Sequence, residues 1–147
     1  MIYLSVDPGE TTGICVAKYS VGWPHSWIEA LISCPWEGAK ERITTYVSLF
    51  PDTFLIVERS PKWKVDPTQS ERVNWTIGVG KELYEIMSTP SICILSPGDW
   101  KPIAKARHWK HPAAKDQHQI DAFNLFRYYI WRKYRHEIPY LEVEGDK

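Results

Sequence analysis

The sequence predicts an α/β fold built on a mixed five-stranded sheet, three antiparallel strands and then parallel crossovers, with helices flanking it. Three observations lead there. Three β-prone runs precede Cys34 with only turn residues between them; helix-period and strand-like runs then alternate from Trp36 to Leu95; and a strongly amphipathic stretch, Asp116 to Tyr134, closes the pattern.

Ile2 to Val6 is a short apolar-rich run that stops at Asp7-Pro8-Gly9, and Gly13 to Tyr19 is a second that begins after Glu10-Thr11-Thr12. Two strands joined by a tight turn fit this pattern. Trp27 to Ser33, β-prone and lying just past Gly22 and Pro24, makes a third antiparallel strand and completes a meander. From Trp36 to Phe50 the residues Ala39, Ile43, Tyr46, Val47 and Phe50 recur at the helical interval until Pro51-Asp52 breaks it. Phe54 to Val57 is a continuous apolar run, the mark of a strand covered on both faces, and a strand after a helix implies a parallel crossover.

Arg59 to Thr68, with Pro61 and Pro67 among basic and aromatic residues, reads as an exposed loop. Gln69 to Met87 has helical spacing through Val73, Ile77, Leu83 and Ile86, and Ser91 to Leu95 is a further short strand. Ser96 to Lys115 carries Pro97, Pro102 and Pro112 with little periodicity and is expected to be a long loop, which in a compact domain is usually functional. The last helix presents Ile120, Phe123, Leu125, Phe126, Tyr129 and Ile130.

A chain of 147 residues supports one domain, assigned to 1–136, with a short acidic tail over 137–147. Apolar residues at 44% and charged residues at 24% describe a globular protein and exclude a disordered or fibrous one. The formal charge of zero conceals an asymmetry: Asp99 to His136 holds nine Lys or Arg against Asp99, Asp116 and Asp121. Cys15, Cys34 and Cys93 are odd in number, widely spaced and set in apolar surroundings, which suits reduced thiols in a cytoplasmic protein. The amino terminus shows no export signal and no membrane segment.

Asp7 closes the first strand at a sharp turn, although Asp-Pro-Gly is also an ordinary turn sequence. Glu58 ends the most buried strand, where a carboxylate is costly unless it is metal-bound or paired, Arg59 being the available partner. His118 and Asp121 stand three residues apart on the last helix and emerge on one face; taken alone they would equally suit a solvated helix start. Gathered from remote segments, three carboxylates and an imidazole suit Mg²⁺ or Mn²⁺ better than zinc.

In series, Leu4-Ser5-Val6-Asp7-Pro8-Gly9, Thr12-Gly13, Ile56-Val57-Glu58 and His118-Gln119-Ile120-Asp121-Ala122 resemble the four motif regions of RuvC-like Holliday-junction resolvases, in order and spacing, over most of the chain. The resemblance implies a ribonuclease H-like fold, a homodimer, and paired nicking of a four-way DNA junction. It carries catalytic and metal-binding roles to Asp7, Glu58, His118 and Asp121, with two Mg²⁺ or Mn²⁺ ions per site. Asp7 is then the bridging ligand, Glu58 and Asp121 hold one ion each, and His118 coordinates or positions the water. A neutral imidazole is needed for coordination, so activity is expected to fall at acid pH.

In that family the loop after the second acid reads the junction, and here it carries Trp63 between Lys62 and Lys64, placed to stack on exposed bases or else packed against the domain. Arg59, Lys62, Lys64, Lys101, Lys105, Arg107, Lys110 and Lys115 are the expected phosphate contacts. The helix over 69–87, with more apolar surface than one core-facing stripe needs, is the expected dimer interface.

Three other readings compete. A nuclease of the same fold could process RNA, as the RuvC-like factors of ribosomal RNA precursors do, and the fold could survive as a non-catalytic junction-binding module. The Asp7-to-Gly13 stretch also looks like the first phosphate loop of actin-like ATPases, but 147 residues leave no room for the second lobe such proteins need, so no nucleotide cofactor is expected. A free-standing resolvase of this kind would suit a virus as well as a cell.

Overall fold

The structure, a computed structural model, describes residues 2–20, 27–58, 92–109, 114–135 and 142–143. Its first strands are β1 (Ile2–Asp7), β2 (Thr11–Lys18) and β3 (Trp27–Pro35), followed by helix α1 (Trp36–Leu49) and β4 (Phe54–Glu58). Then come β5 (Ile92–Leu95), α2 (Pro97–Ala106), α3 (Gln117–Tyr134) and β6 (Glu142–Val143).

The sheet runs in the order β5-β4-β1-β2-β3-β6. β1 to β3 form the antiparallel meander, while β4 lies parallel to β1 and β5 parallel to β4. The five expected strands and their mixed sense are therefore present. The acidic tail adds a sixth: its two residues pair parallel with Trp27 and Ile28 at the outer edge of β3.

The alternation of side chains along each strand divides the core into two layers. Leu4, Val6, Ile14, Val16, Leu55 and Val57 pack with Trp36, Ala39 and Ile43 of α1. Tyr3, Cys15, Ala17 and Ile56 face the opposite way, onto Trp100 and Ala104 of α2 and onto the long apolar side of α3. Asp7 and Glu58 continue the Tyr3-Ser5 and Phe54-Ile56 faces, so both carboxylates project toward the α2–α3 layer. Burying one such aliphatic side chain contributes about 2 kcal/mol, which makes the two-sided packing of β1 and β4 the rigid base of that edge.

One expectation is corrected. The segment after Ser96 is not a loop over its first half: Pro97–Ala106 is a helix, begun by a reciprocal capping box between Ser96 and Asp99 with Pro97 in the first turn. Trp100, Ile103 and Ala104 carry the helical interval, and the helix tolerates Pro102 at the loss of one internal hydrogen bond. Within the basic half, Arg127 does not face solvent; it is 1% exposed, with its guanidinium against the rings of Phe123 and Trp109 at 4.6 and 5.3 Å.

The expected loop over 59–68 with Arg59, Lys62, Trp63 and Lys64, the helix over 69–87, and Lys110 lie outside the described residues. Among the described residues no helix is long and apolar enough to cross a membrane. The three cysteines are free thiols, Cys15 fully buried.

Candidate active site

The first carboxylate is set by the β1–β2 hairpin. Asp7 is the last residue of β1 and pairs with Gly13 of β2. The intervening turn is tied by Thr12, whose hydroxyl donates to the Gly9 carbonyl at 3.0 Å, and a side chain at Gly9 would stand 2.9 Å from the carbonyl oxygen of Thr11. Two residues earlier on the same face, Ser5 is fully buried and its hydroxyl oxygen has no hydrogen-bond partner among the described residues.

The parallel register of β1 and β4 sets Glu58. Val6 is opposite Val57, so the next residues, Asp7 and Glu58, stand side by side where the strands end. Glu58 is in turn opposite Leu95, the last residue of β5, and the capped start of α2 follows immediately. The first turn of α2 therefore folds over the end of β4. There the indole Nε1 of Trp100 donates to Glu58 Oε2 at 2.9 Å.

The amino-terminal turn of α3 supplies the other two groups, and three contacts hold it. Asp116 caps the helix by accepting from the Gln119 backbone N–H at 2.9 Å, while its other oxygen accepts from Ser33 of β3 at 2.5 Å. The Ser33 hydrogen bond holds the Asp116 carboxyl below the ordinary value. Gly13 is the third contact. A Cβ there would lie 2.1 Å from the His118 carbonyl oxygen, so only a glycine lets α3 approach β2 this closely.

The result brings His118 Nδ1 within 3.8 Å of Asp7 Oδ2, and Asp121 follows one turn later, its Oδ1 accepting from Gln117 Nε2 at 2.7 Å. Electrostatics show how near the acids are. The Asp7 carboxyl is pushed up to about 8, first by burial, then by the charges of Glu58 and Asp121, against a smaller opposing pull from Lys101. Glu58 is raised as well, because burial outweighs Lys101 and the Trp100 hydrogen bond. A site that penalises the charged carboxylate in this way is one that a cation would relieve.

The donor set fits a hard divalent ion: three carboxylates and one imidazole reach a single sheet edge, and the mutual repulsion at Asp7 is of the kind a bound cation removes. The groups are not drawn onto one point. Among the described residues no three His, Cys, Asp or Glu side chains already form a group able to hold a metal ion. Glu58 Oε2 accepts from Trp100, and Asp121 Oδ1 accepts from Gln117.

The described basic candidates surround this edge unevenly. Lys101 is near enough to the acids to oppose the shifts of both Asp7 and Glu58, and its Nζ lies 5.5 Å from the Trp100 ring centroid. Lys105 is exposed one turn further along α2, and Lys115 is exposed just before the α3 cap. Arg107 is exposed with its guanidinium 4.8 Å from the Trp131 ring.

Sequence reading did not identify Trp100, Gln117 or Ser33 as parts of this arrangement, and it placed Gly13 in a motif without the close helix approach that Gly13 permits. A signal existed for the first: Ser-Pro-Gly-Asp directly after a strand is a helix start, and it puts the next residue, Trp100, over the strand end. The Gly13 approach and the Ser33–Asp116 bond are long-range and leave no local trace.

No protein-family model matches this chain, and no curated protein matches it in sequence. Its fold does have solved counterparts. A T. thermophilus RuvC in complex with a Holliday junction substrate superposes with a TM-score of 0.59 at 18% identity, over 90% of this chain and 95% of that one. A Thermus thermophilus RuvC structure gives a TM-score of 0.60 at 15% identity, over 93% and 99%. The likeness establishes the fold, the ribonuclease H-like arrangement of a mixed sheet with flanking helices.

Proposed function

We propose that this chain is a divalent-metal-dependent endonuclease that resolves four-way DNA junctions by paired nicks. The observation that carries the reading is the acid cluster: Asp7 at the end of β1 is held near 8 by burial and by the charges of Glu58 and Asp121, with His118 Nδ1 at 3.8 Å. Such a cluster destabilises the fold without a cation and becomes an asset with one. The shared fold with RuvC, one of whose structures holds a Holliday junction substrate, supports the substrate class.

In this reading Asp7, Glu58 and Asp121 would hold the divalent ions, Mg²⁺ or Mn²⁺, with Asp7 central among them. When bound, such ions would supply Lewis acidity for hydrolysis of a phosphodiester. His118 coordinates an ion or orients the water from the first turn of α3. Lys101, close to both Asp7 and Glu58, offsets their charge in the absence of metal and faces the incoming phosphate backbone with Lys105, Arg107 and Lys115. Arg59, Lys62, Lys64 and Lys110 would add phosphate contacts, Trp63 would stack on bases exposed at the branch point, and a homodimer would match the two-fold symmetry of paired cuts.

The test is cleavage of a labelled four-way junction beside linear duplex, single-stranded DNA and structured RNA, with Mg²⁺, Mn²⁺ or EDTA. Symmetric nicks in the junction with either metal, and none in EDTA, are expected. Cutting confined to RNA would move the substrate to the RNA-processing nucleases of the same fold. No metal-dependent cutting of any substrate would remove the enzyme.

A further inference from the structure

We infer that Trp100 is a positioning residue for Glu58, orienting this carboxylate toward the metal through its indole N–H. The inference rests on the reading of Glu58 as a metal ligand and adds a residue outside the three acids and the histidine.

Three features of the structure converge on it. Trp100 is 2% exposed, so its N–H requires a partner inside the protein, and the partner is a carboxylate rather than a backbone carbonyl: Nε1 to Glu58 Oε2, 2.9 Å. The bond spans 42 residues of sequence and joins two separately fixed elements. Glu58 is anchored by the β4 register against β1 and β5, and Trp100 by the Ser96–Asp99 capping box that begins α2 directly opposite it. A hydrogen bond to a charged acceptor restricts its rotation, while an indole, having a single donor, leaves the remaining lone pairs of the carboxylate for a cation. Packing alone would be served by phenylalanine, which fills most of the volume and donates nothing.

Hydrogen-bond partners that orient metal ligands typically govern 10- to 100-fold in metal affinity or activity. The test compares the full-length wild type with Trp100→Phe, and with the sulfur isostere of tryptophan, benzothienylalanine, at position 100, which keeps the shape and removes only the N–H. The readouts are Mn²⁺ affinity without DNA, by calorimetry or electron paramagnetic resonance; the Mn²⁺ concentration for half-maximal junction cleavage; and thermal stability and junction binding in EDTA. Both variants are expected to need roughly 10- to 100-fold more Mn²⁺ in the first two measurements. The isostere is expected to melt, and to bind junctions in EDTA, as the wild type does. Variants whose Mn²⁺ dependence stays within twofold of the wild type, while the wild type binds Mn²⁺ and cleaves, overturn the role of Trp100 and leave the active site standing. A wild type that neither binds Mn²⁺ nor cleaves overturns both.

Discussion

At the level of single residues the electrostatics make a signed prediction about Asp7. Its carboxyl is raised to about 8 in the folded protein, far above its value in an unfolded chain, so the fold binds this proton more tightly than the unfolded state does. That contribution is fully present below pH ~4 and is lost as pH rises toward 8, at about 1.4 kcal/mol per pH unit. Metal-free protein should therefore lose thermal stability between pH 5 and 8, Mn²⁺ should restore it most at the alkaline end, and Asp7→Asn should flatten the metal-free profile. A wild-type profile as flat as that of the Asn variant contradicts this. Ser5 gives a second residue-scale prediction: its buried hydroxyl lacks a partner among the described residues, so Ser5→Ala should stabilise the protein by about 1 kcal/mol in urea unfolding. A loss of that size would mean that the hydroxyl is satisfied in solution. Asp7 and Glu58 were legible in sequence because each ends an apolar run, where a carboxylate stands out; Trp100 was not, because its partner is 42 residues away.

The elements that deliver these residues matter as much as the residues. α3 reaches the acids only because Gly13 lets its first turn lie against β2 and because Asp116 is tied both to the helix backbone and to Ser33. Gly13→Ala would put a methyl group 2.1 Å from the His118 carbonyl oxygen, so α3 must shift. The expected cost is about 1–3 kcal/mol in denaturant unfolding together with a loss of Mn²⁺ affinity. Unchanged stability and affinity would show that α3 is not held there. Most elements were readable because their apolar period is strong, as in α3, or their turns are explicit, as between β1 and β2. The first half of 96–115 was misread because Pro97 and Pro102 suggested a loop. Pro97 sits in the first helical turn, where its missing N–H costs nothing, and Ser96 with Asp99 supplies the start signal. The sixth strand, two residues of an acidic tail, has no pattern long enough to read.

For the whole molecule, zero net charge is a poor guide because acids converge inside one sheet edge while Lys101, Lys105, Arg107 and Lys115 remain outside it. Binding to a junction should weaken steeply with salt, and Lys105→Ala, remote from the acid cluster by a turn of α2, should reduce the slope of log affinity against log salt by about 1 without abolishing cleavage. An unchanged slope would remove α2 from the DNA path. The central claim is that Asp7, Glu58 and Asp121 form one metal-dependent cleavage site. It is tested most directly by giving the same labelled four-way junction and Mn²⁺ to the wild type and to Asp7→Asn, Glu58→Gln and Asp121→Asn, with binding measured in parallel. The expected result is that all four proteins bind the junction and only the wild type cuts it, the variants falling by at least about 100-fold. Cleavage by Asp121→Asn at the wild-type rate would contradict the claim.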